Sequence, residues 1–409
     1  MQIGIGTQLG YQNNAARVAG IFAYLINDTF TTDRAAGAVN GTLAEPGPGR
    51  RTVTDTNGKL TLASGAAAFA TGGVGNGDPG LWYAAQSRSA GLLCVGEFSH
   101  SAGGVEIGWD STPVGGPTDS VRINGTSLQV RAVSGTALVV GAVTTATAYR
   151  IAVVIRATGA FYFIKGGAFT NWTLLYVGAT GTYSPIPSVV ATGNTSVATV
   201  NYFRVPAARW LPVPLVSDGF GSAFVSSDGL GHAEGIAGGI GAGGSVVAWS
   251  QLVGTWASSG GVVAASALVG GVALAGVDTD SADVVATVKV TRSGGTAGLF
   301  VRYDADDFVR AVHTGTNVQL VKRISGVETT LIDAAATYVA GAELRVTCEG
   351  QKFRLYYNNA LIGSEQTITD INTTSTLHGL RTTNTGNTFD DFVVRARGTG
   401  GEYAALDAF

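Results

Sequence analysis

Charge is scarce in this sequence. Asp, Glu, Lys and Arg make up only 13% of its 409 residues, with 25 basic against 28 acidic side chains. The basic residues are scattered, with no cluster beyond Arg50-Arg51, so the basic face that counterion release on nucleic acid requires is missing. Few Lys and Glu also leave few formers of surface helices. Two cysteines, Cys94 and Cys348, are too few and too far apart for a disulfide scaffold, and both are expected as lone buried thiols. Long apolar runs are short or broken. VAGIFAYLI (18–26) is too short to span a bilayer, and the uncharged stretch 236–277 is interrupted by Gly and polar residues, which reads as paired strands. The N-terminus has no basic region ahead of an apolar core, so no signal peptide is expected. No nucleophile elbow, P-loop or dinucleotide fingerprint occurs, and His100, His232, His313 and His378 show no ligand spacing.

What is abundant is glycine, 60 residues, among Ala, Val, Thr, Phe and Tyr. With 45% hydrophobic residues the low charge does not mean disorder. Short strands joined by tight turns fit this composition, and an all-β protein is expected. A weakly charged surface also suits permanent packing against other proteins.

The chain repeats itself. Asp28-Thr29-Phe30 recurs as Asp218-Gly219-Phe220, 190 positions on. Val121, opening VRINGTSLQV, matches Val309, opening VRAVHTGTNVQLV, at 188; Tyr149 matches Tyr338 at 189; and VNYFRV aligns with DDFVVR when Phe203 is set on Phe392, again at 189. Four anchors in one order define an N-terminal anchoring segment 1–26, repeat A at 27–207, a Pro-bearing linker 208–216, repeat B at 217–398, and a C-terminal tail 399–409. Pro212 and Pro214 make the linker stiff, so a fixed mutual orientation is expected. Within repeats the period is two: Phe353, Leu355 and Tyr357 alternate with Arg354 and Tyr356. Runs of this kind separated by turns such as SGT (134–136) and NNA (358–360) indicate two tandem antiparallel jelly-roll sandwiches.

Repeat B carries Trp249-SQLVGT-Trp256, then GGVVAASAL, DVVATVKVTRSGGTAGLFVRYDADDFVRAVHTG, LVKRISGVETTL, FRLYYNNALIG and GNTFDDFVV. This order resembles concanavalin A-like, laminin G-like jelly-roll domains, especially those in structural proteins of tailed phages. Repeat A is similar but lacks the paired tryptophans. The resemblance implies a non-enzymatic structural protein of a virion, tail- or capsid-associated, made in the host cytoplasm and carried on the extracellular particle. Its partners would be other virion proteins, bound through the N-terminal segment, and further copies of itself in a homo-oligomer. Recognition of a host-surface glycan is an added expectation, and the alternative is a carbohydrate-binding adhesin or lectin module of a bacterial surface or secreted protein. Neither nucleic acid nor membrane insertion is expected.

Candidate sites are few, and no catalytic residue is assigned. The fold also hosts glycosidases, whose chemistry needs two carboxylates on a shared face. Glu106 and Asp110 share a strand face, but Gly108 stands where a middle acid would be, and the segment reads as an exposed strand. Asp390 and Asp391 are neighbours and point to opposite faces unless a bulge intervenes; the segment reads as a closing strand pairing with the DGF strand. Asp304, Asp306 and Asp307 in YDADDF are candidate calcium ligands, against a plain hairpin turn, and DTDSAD (278–283) reads the same way. Trp82, Tyr83, Trp109, Trp172 and Trp210 are candidate glycan contacts, since flat rings cover apolar sugar faces, against packing in the core.

Overall fold

The computed structural model describes residues 24–73, 78–112, 118–132, 137–178, 182–193, 195–212, 214–220 and 249–409. Most of the expected anchoring segment, 1–23, and the first part of the uncharged stretch, 236–248, therefore lie outside the described residues. The chain divides into two units, Met1–Leu211 with Glu402–Phe409, and Pro212–Gly401.

The first unit holds an eight-stranded sheet in the order Phe169–Val177, Ala160–Gly166, Tyr149–Ile155, Leu93–Ala102, Val197–Pro206, Ala66–Phe69 and Leu60–Ala63, with Tyr24–Asp28 also on Val197–Pro206. Its seven-stranded partner runs Leu138–Ala142, Ser127–Ala132, Asp119–Asn124, Val105–Asp110, Ile186–Ala191, Gly80–Trp82 and Thr52–Thr54. In the second unit the eight-stranded sheet runs Thr255–Ser259, Val262–Ala267, Thr388–Ala396, Val284–Thr291, Ala342–Glu349, Lys352–Tyr357 and Ala360–Thr367, with Val216–Asp218 on Thr388–Ala396. The seven-stranded sheet runs Ser250–Val253, Ala273–Asp278, Leu377–Thr382, Ala297–Asp304, Asp307–His313, Asn317–Ile324 and Val327–Ala335. All pairings are antiparallel, and taken in chain order every strand of one unit has its counterpart at the same place in the other. The uncharged stretch is strand from Ser250 onward. No helix of the described residues is long and apolar enough to cross a membrane.

Local chemistry sets these strands. Period-two alternation puts Leu299, Ala311, Leu320 and Ile332 in one row across four strands, all buried toward the facing sheet. Two-residue turns close the hairpins. Ala305 and Asp306 lie at φ +45° and +85° between the paired Asp304 and Asp307, and Asn358 and Asn359 at +46° and +64° between Tyr357 and Ala360. Positive φ at both central residues matches the right-handed twist of the flanking strands. Cys94 and Cys348 are free and buried, as expected, and burial raises both thiol pKa values.

Each unit opens on the same device. Asp28 pairs opposite Phe203, and Asp218 opposite Phe392, the partners that the internal repeat implied. Each aspartate accepts the backbone N–H two residues on, from Phe30 at 3.1 Å and from Phe220 at 2.8 Å, and both phenylalanines sit at positive φ, +53° and +49°. The second carboxylate oxygen is met differently. In the second unit the Trp249 indole N–H donates to Asp218 at 2.8 Å, with its ring 5.9 Å from that of Phe220. In the first unit Arg51 stands at that place, just ahead of the equivalent strand. Its guanidinium donates to both Asp28 oxygens at 2.6 Å and lies 5.7 Å over the Phe30 ring. The Tyr83 hydroxyl adds a bond to Asp28 at 2.8 Å. The tryptophan missing from repeat A is thus replaced by a cation that serves the same carboxylate.

The closing strands carry a bulge at matching points, between Val200 and Tyr202 and opposite Thr287–Lys289, where Asp391 takes φ +47°. The bulge lets both acids face one lysine. The Asp391 carboxylate pairs with Lys289 at 2.5 Å, and Asp390 stands opposite Lys289 in the ladder. The hydrogen bond to Asp391, reinforced by Asp390, raises the Lys289 pKa. The pair is a charged strand edge in a structural pairing.

Residues 402–409, read from the sequence as part of a tail, group with the first unit. Tyr403 packs edge-on against Phe163 and Trp210, with centroids at 4.9 and 6.2 Å, and Leu406 is fully buried. Asp407 pairs with Arg150 and Lys165 at 2.8 Å and accepts the Trp172 indole N–H at 3.0 Å. Burial opposes its charge, but Lys165, Trp172 and Arg150 outweigh it and hold its pKa below the usual range.

Candidate functional site

The five aromatic residues expected as glycan contacts are all buried. Trp109 donates its N–H to the Val153 carbonyl in the facing sheet at 3.0 Å, and Trp82 donates to Asp110 at 3.3 Å. Tyr83 stacks on Phe203 at 5.4 Å, Trp172 holds Asp407, and Trp210 lies between Phe163 and Tyr403. A ring with both faces packed offers nothing to a sugar, so the expectation of platforms at Trp82, Tyr83, Trp109, Trp172 and Trp210 is corrected. In an all-β sandwich, removing a large ring from water outweighs the use of its face.

The YDADDF segment is the hairpin turn that the sequence offered against a calcium site. Asp304, Asp306 and Asp307 flank or occupy a two-residue turn, and their oxygens diverge. Asp304 accepts from the Asn372 amide at 2.5 Å, Asp306 pairs with Arg323 at 2.5 Å, and Asp307 accepts the Ser325 N–H at 2.6 Å. Among the described residues no group of three or more His, Cys, Asp or Glu converges as a metal would need.

Glu106 and Asp110 lie in a buried strand, not the exposed one expected. They face outward from the first unit's sandwich, on the side opposite Trp109. Glu106 pairs with Arg131 at 3.0 Å and accepts the Ser120 hydroxyl at 2.5 Å. Burial raises its pKa against the pull of Arg131, Ser120 and Arg122. Four residues along a strand set the two Cα atoms about 13 Å apart, yet the Asp110 charge still adds to the rise in the Glu106 pKa, so the carboxyls lie within electrostatic reach of one another. Gly108 between them cannot be an acid: a Cβ there would lie 2.1 Å from the Asp119 carbonyl. Both carboxylates are already engaged, Glu106 by Arg131 and Ser120, and Asp110 by the Trp82 indole and the Ser111 and Thr112 backbone N–H groups.

On the second unit the same outward face is built differently. In the first unit the row reads Trp82, Ser188, Gly108, and in the second it reads Gly276, Gly379, Phe300, so the bulky ring changes strands. Gly379 is obligatory, since a Cβ would meet Phe300 at 2.7 Å and the Ala275 carbonyl at 1.9 Å. Phe300, Phe308 and Leu274 form an apolar cluster joined by Leu252, Val253, Val272 and Tyr303. Tyr303 is its partly exposed outer ring, stacked on Phe308 at 5.8 Å and 15°.

Beside the rings lies a group of arginines. Arg310, opposite Phe300, and Arg381, opposite Gly298, share this face by strand alternation, as does Arg323 opposite Phe308. Glu328, opposite Arg323, pairs with Arg310 at 2.6 Å and lies 4.0 Å from Arg381. Arg381 also donates to the Thr296 hydroxyl at 3.0 Å. Burial, and then Arg310, lower the Arg381 pKa to about 10. This face is hidden in the sequence because YDADDF presents its carboxylates first. The flanking Tyr303 and Phe308 were the available signal.

No protein-family profile matches the chain, and no curated protein sequence does. Solved structures are similar in fold. The carbohydrate-binding module CBM66 from Bacillus subtilis is 17% identical over 36% of this chain and 95% of its own, with a TM-score of 0.31. Mouse laminin alpha1 domains LG4-5 are 10% identical over 87% of this chain and 92% of theirs, with a TM-score of 0.24. The GH43 protein BlXynB from Bacillus licheniformis, in a mutant form, is 12% identical over 85% and 86%, with a TM-score of 0.31. The strand order above defines the class: an all-β protein of two tandem antiparallel jelly-roll sandwiches.

Proposed function

We propose that this is a non-catalytic carbohydrate-binding protein whose ligand face is the outer side of the second unit's seven-stranded sheet. The observation that carries the reading is Tyr303, a partly exposed ring stacked on Phe308 beside Arg310, Arg323 and Glu328. A flat ring covers the apolar face of a pyranose, and fixed donors and acceptors at its edge take the hydroxyls. The full burial of Glu106 and its engagement by Arg131 and Ser120 support the absence of glycosidase chemistry. The test is a glycan array and titration calorimetry on the full chain. Binding to at least one oligosaccharide, weakened about tenfold or more by Tyr303→Ala, is expected from the worth of one stacking contact. Binding to none, or binding indifferent to that substitution, refutes the reading.

A second reading, a structural part of a tailed-phage virion, is favoured by the strand-for-strand duplication, which suits a repeated building element, together with the motif order of repeat B. Recovery of the chain from purified particles by mass spectrometry is expected on that reading, and its absence from them refutes it.

A further inference from the structure

We propose that this face of the second unit recognises the anionic group of an acidic sugar, a carboxylate or a sulfate ester, through Arg310, Arg381 and Arg323. The inference rests on the carbohydrate-binding reading and names its ligand class.

Three guanidinium charges meet here with two carboxylates, Glu328 and Asp306, leaving the group one anion short of balance. Arg310 and Arg381 are both more than nine-tenths buried, at 7% and 8% exposure. Guanidinium charge so far from water is costly without counter-charge. Nε of Arg310 and Nε of Arg323 are buried and have no acceptor among the described residues. Such orphaned donors are what a ligand oxygen would satisfy. The lowered Arg381 pKa points the same way, since burial and Arg310 are incompletely offset by Glu328 at 4.0 Å.

Glu328 shows what the arginines accept. It holds Arg310 and stands near Arg381, with over a third of its side chain exposed, so a carboxylate already occupies the edge of the group. A planar guanidinium donates two parallel N–H bonds to two oxygens of a carboxylate or sulfate. An acidic sugar with its ring against Tyr303 would bring a second such group to the donors that Glu328 leaves unmet.

The experiment uses the full chain and matched pairs of immobilised oligosaccharides: hexuronate against its methyl ester, sialylated against asialo, and sulfated against desulfated. We expect the acidic member of at least one pair to bind about tenfold tighter or more, as for one charge-assisted hydrogen bond, and the pair concerned tells carboxylate from sulfate. Arg310→Gln and Arg381→Gln should each remove that preference, costing the acidic member more than the neutral one. Glu328→Gln should tighten the acidic ligand severalfold by removing its competitor. If neutral members bind equally well and depend on Tyr303, the carbohydrate reading stands and this inference falls. If Glu328→Gln leaves acidic binding unchanged or weaker, the inference also falls. If no member of any pair binds, both fall.

Discussion

His378 ties acid sensitivity to two hydrogen bonds. Its Nδ1 accepts the Arg302 N–H at 3.1 Å and its Nε2 donates to the Ser281 carbonyl at 2.9 Å, which fixes the neutral ring. A second ring proton would face another donor. Burial foremost, then Arg302, lower its pKa from 6.5 to about 4. The unfolded ring binds its proton near 6.5, so the unfolded state takes up more protons as pH falls. The stability this site contributes is therefore complete above pH about 6.5 and lost between there and about 4, on the order of 3 kcal/mol. Denaturant titrations of the second unit from pH 7 to 4 should show that loss, and His378→Gln should flatten it. The Asp28–Arg51 pair, both side chains fully buried, makes a second case. Arg51→Met strands a buried carboxylate and should cost about 3 to 5 kcal/mol by thermal unfolding. Asp28 was legible as a repeat marker through its match to Asp218. Its partner was not, because Arg51 and Trp249 share a role without sharing chemistry. The buried tryptophans were misjudged for a related reason: one sequence shows which rings exist, but not which faces are covered.

Strands and hairpins were the readable level. The turn at Asn358-Asn359, the alternation along Phe353–Tyr357 and the pairing of the closing strand with the DGF strand follow from residue type and period alone. What escaped was exchange between strands. Trp82 over small neighbours in one unit and Phe300 over Gly379 and Gly276 in the other fill equivalent space from opposite edges, so aligning the repeats residue by residue hides the match. Gly379→Ala tests this packing. With a Cβ 1.9 Å from a backbone carbonyl, the sheet must shift, and a loss of about 1 to 3 kcal/mol in the second unit is expected by denaturant unfolding.

For the whole molecule, two separate sandwiches of equal topology predict two unfolding transitions in calorimetry. Leu406→Ala should lower only the first unit's transition, by about 2 to 5 kcal/mol, although position 406 follows the second unit in the chain. A shift of the second unit's transition instead would contradict the grouping. The composition made the tandem sandwich legible, since glycine and β-formers with little charge leave few other folds. Nothing in GEYAALDAF by itself pointed back across some 200 residues, because docking depends on a surface that only the folded first unit creates.

That return has a temporal side. A ribosome releases residues 24–211 well before 402–409, and the second sandwich is synthesised in between. The first unit must therefore wait with Trp210, Phe163 and Trp172 uncovered until residues 402–409 arrive. Nascent chains halted before residue 402 should bind a hydrophobic dye or a chaperone through the older half, and lengthening them to residue 409 should end that binding. The segment makes completion of the first unit conditional on synthesis of residues that follow the second.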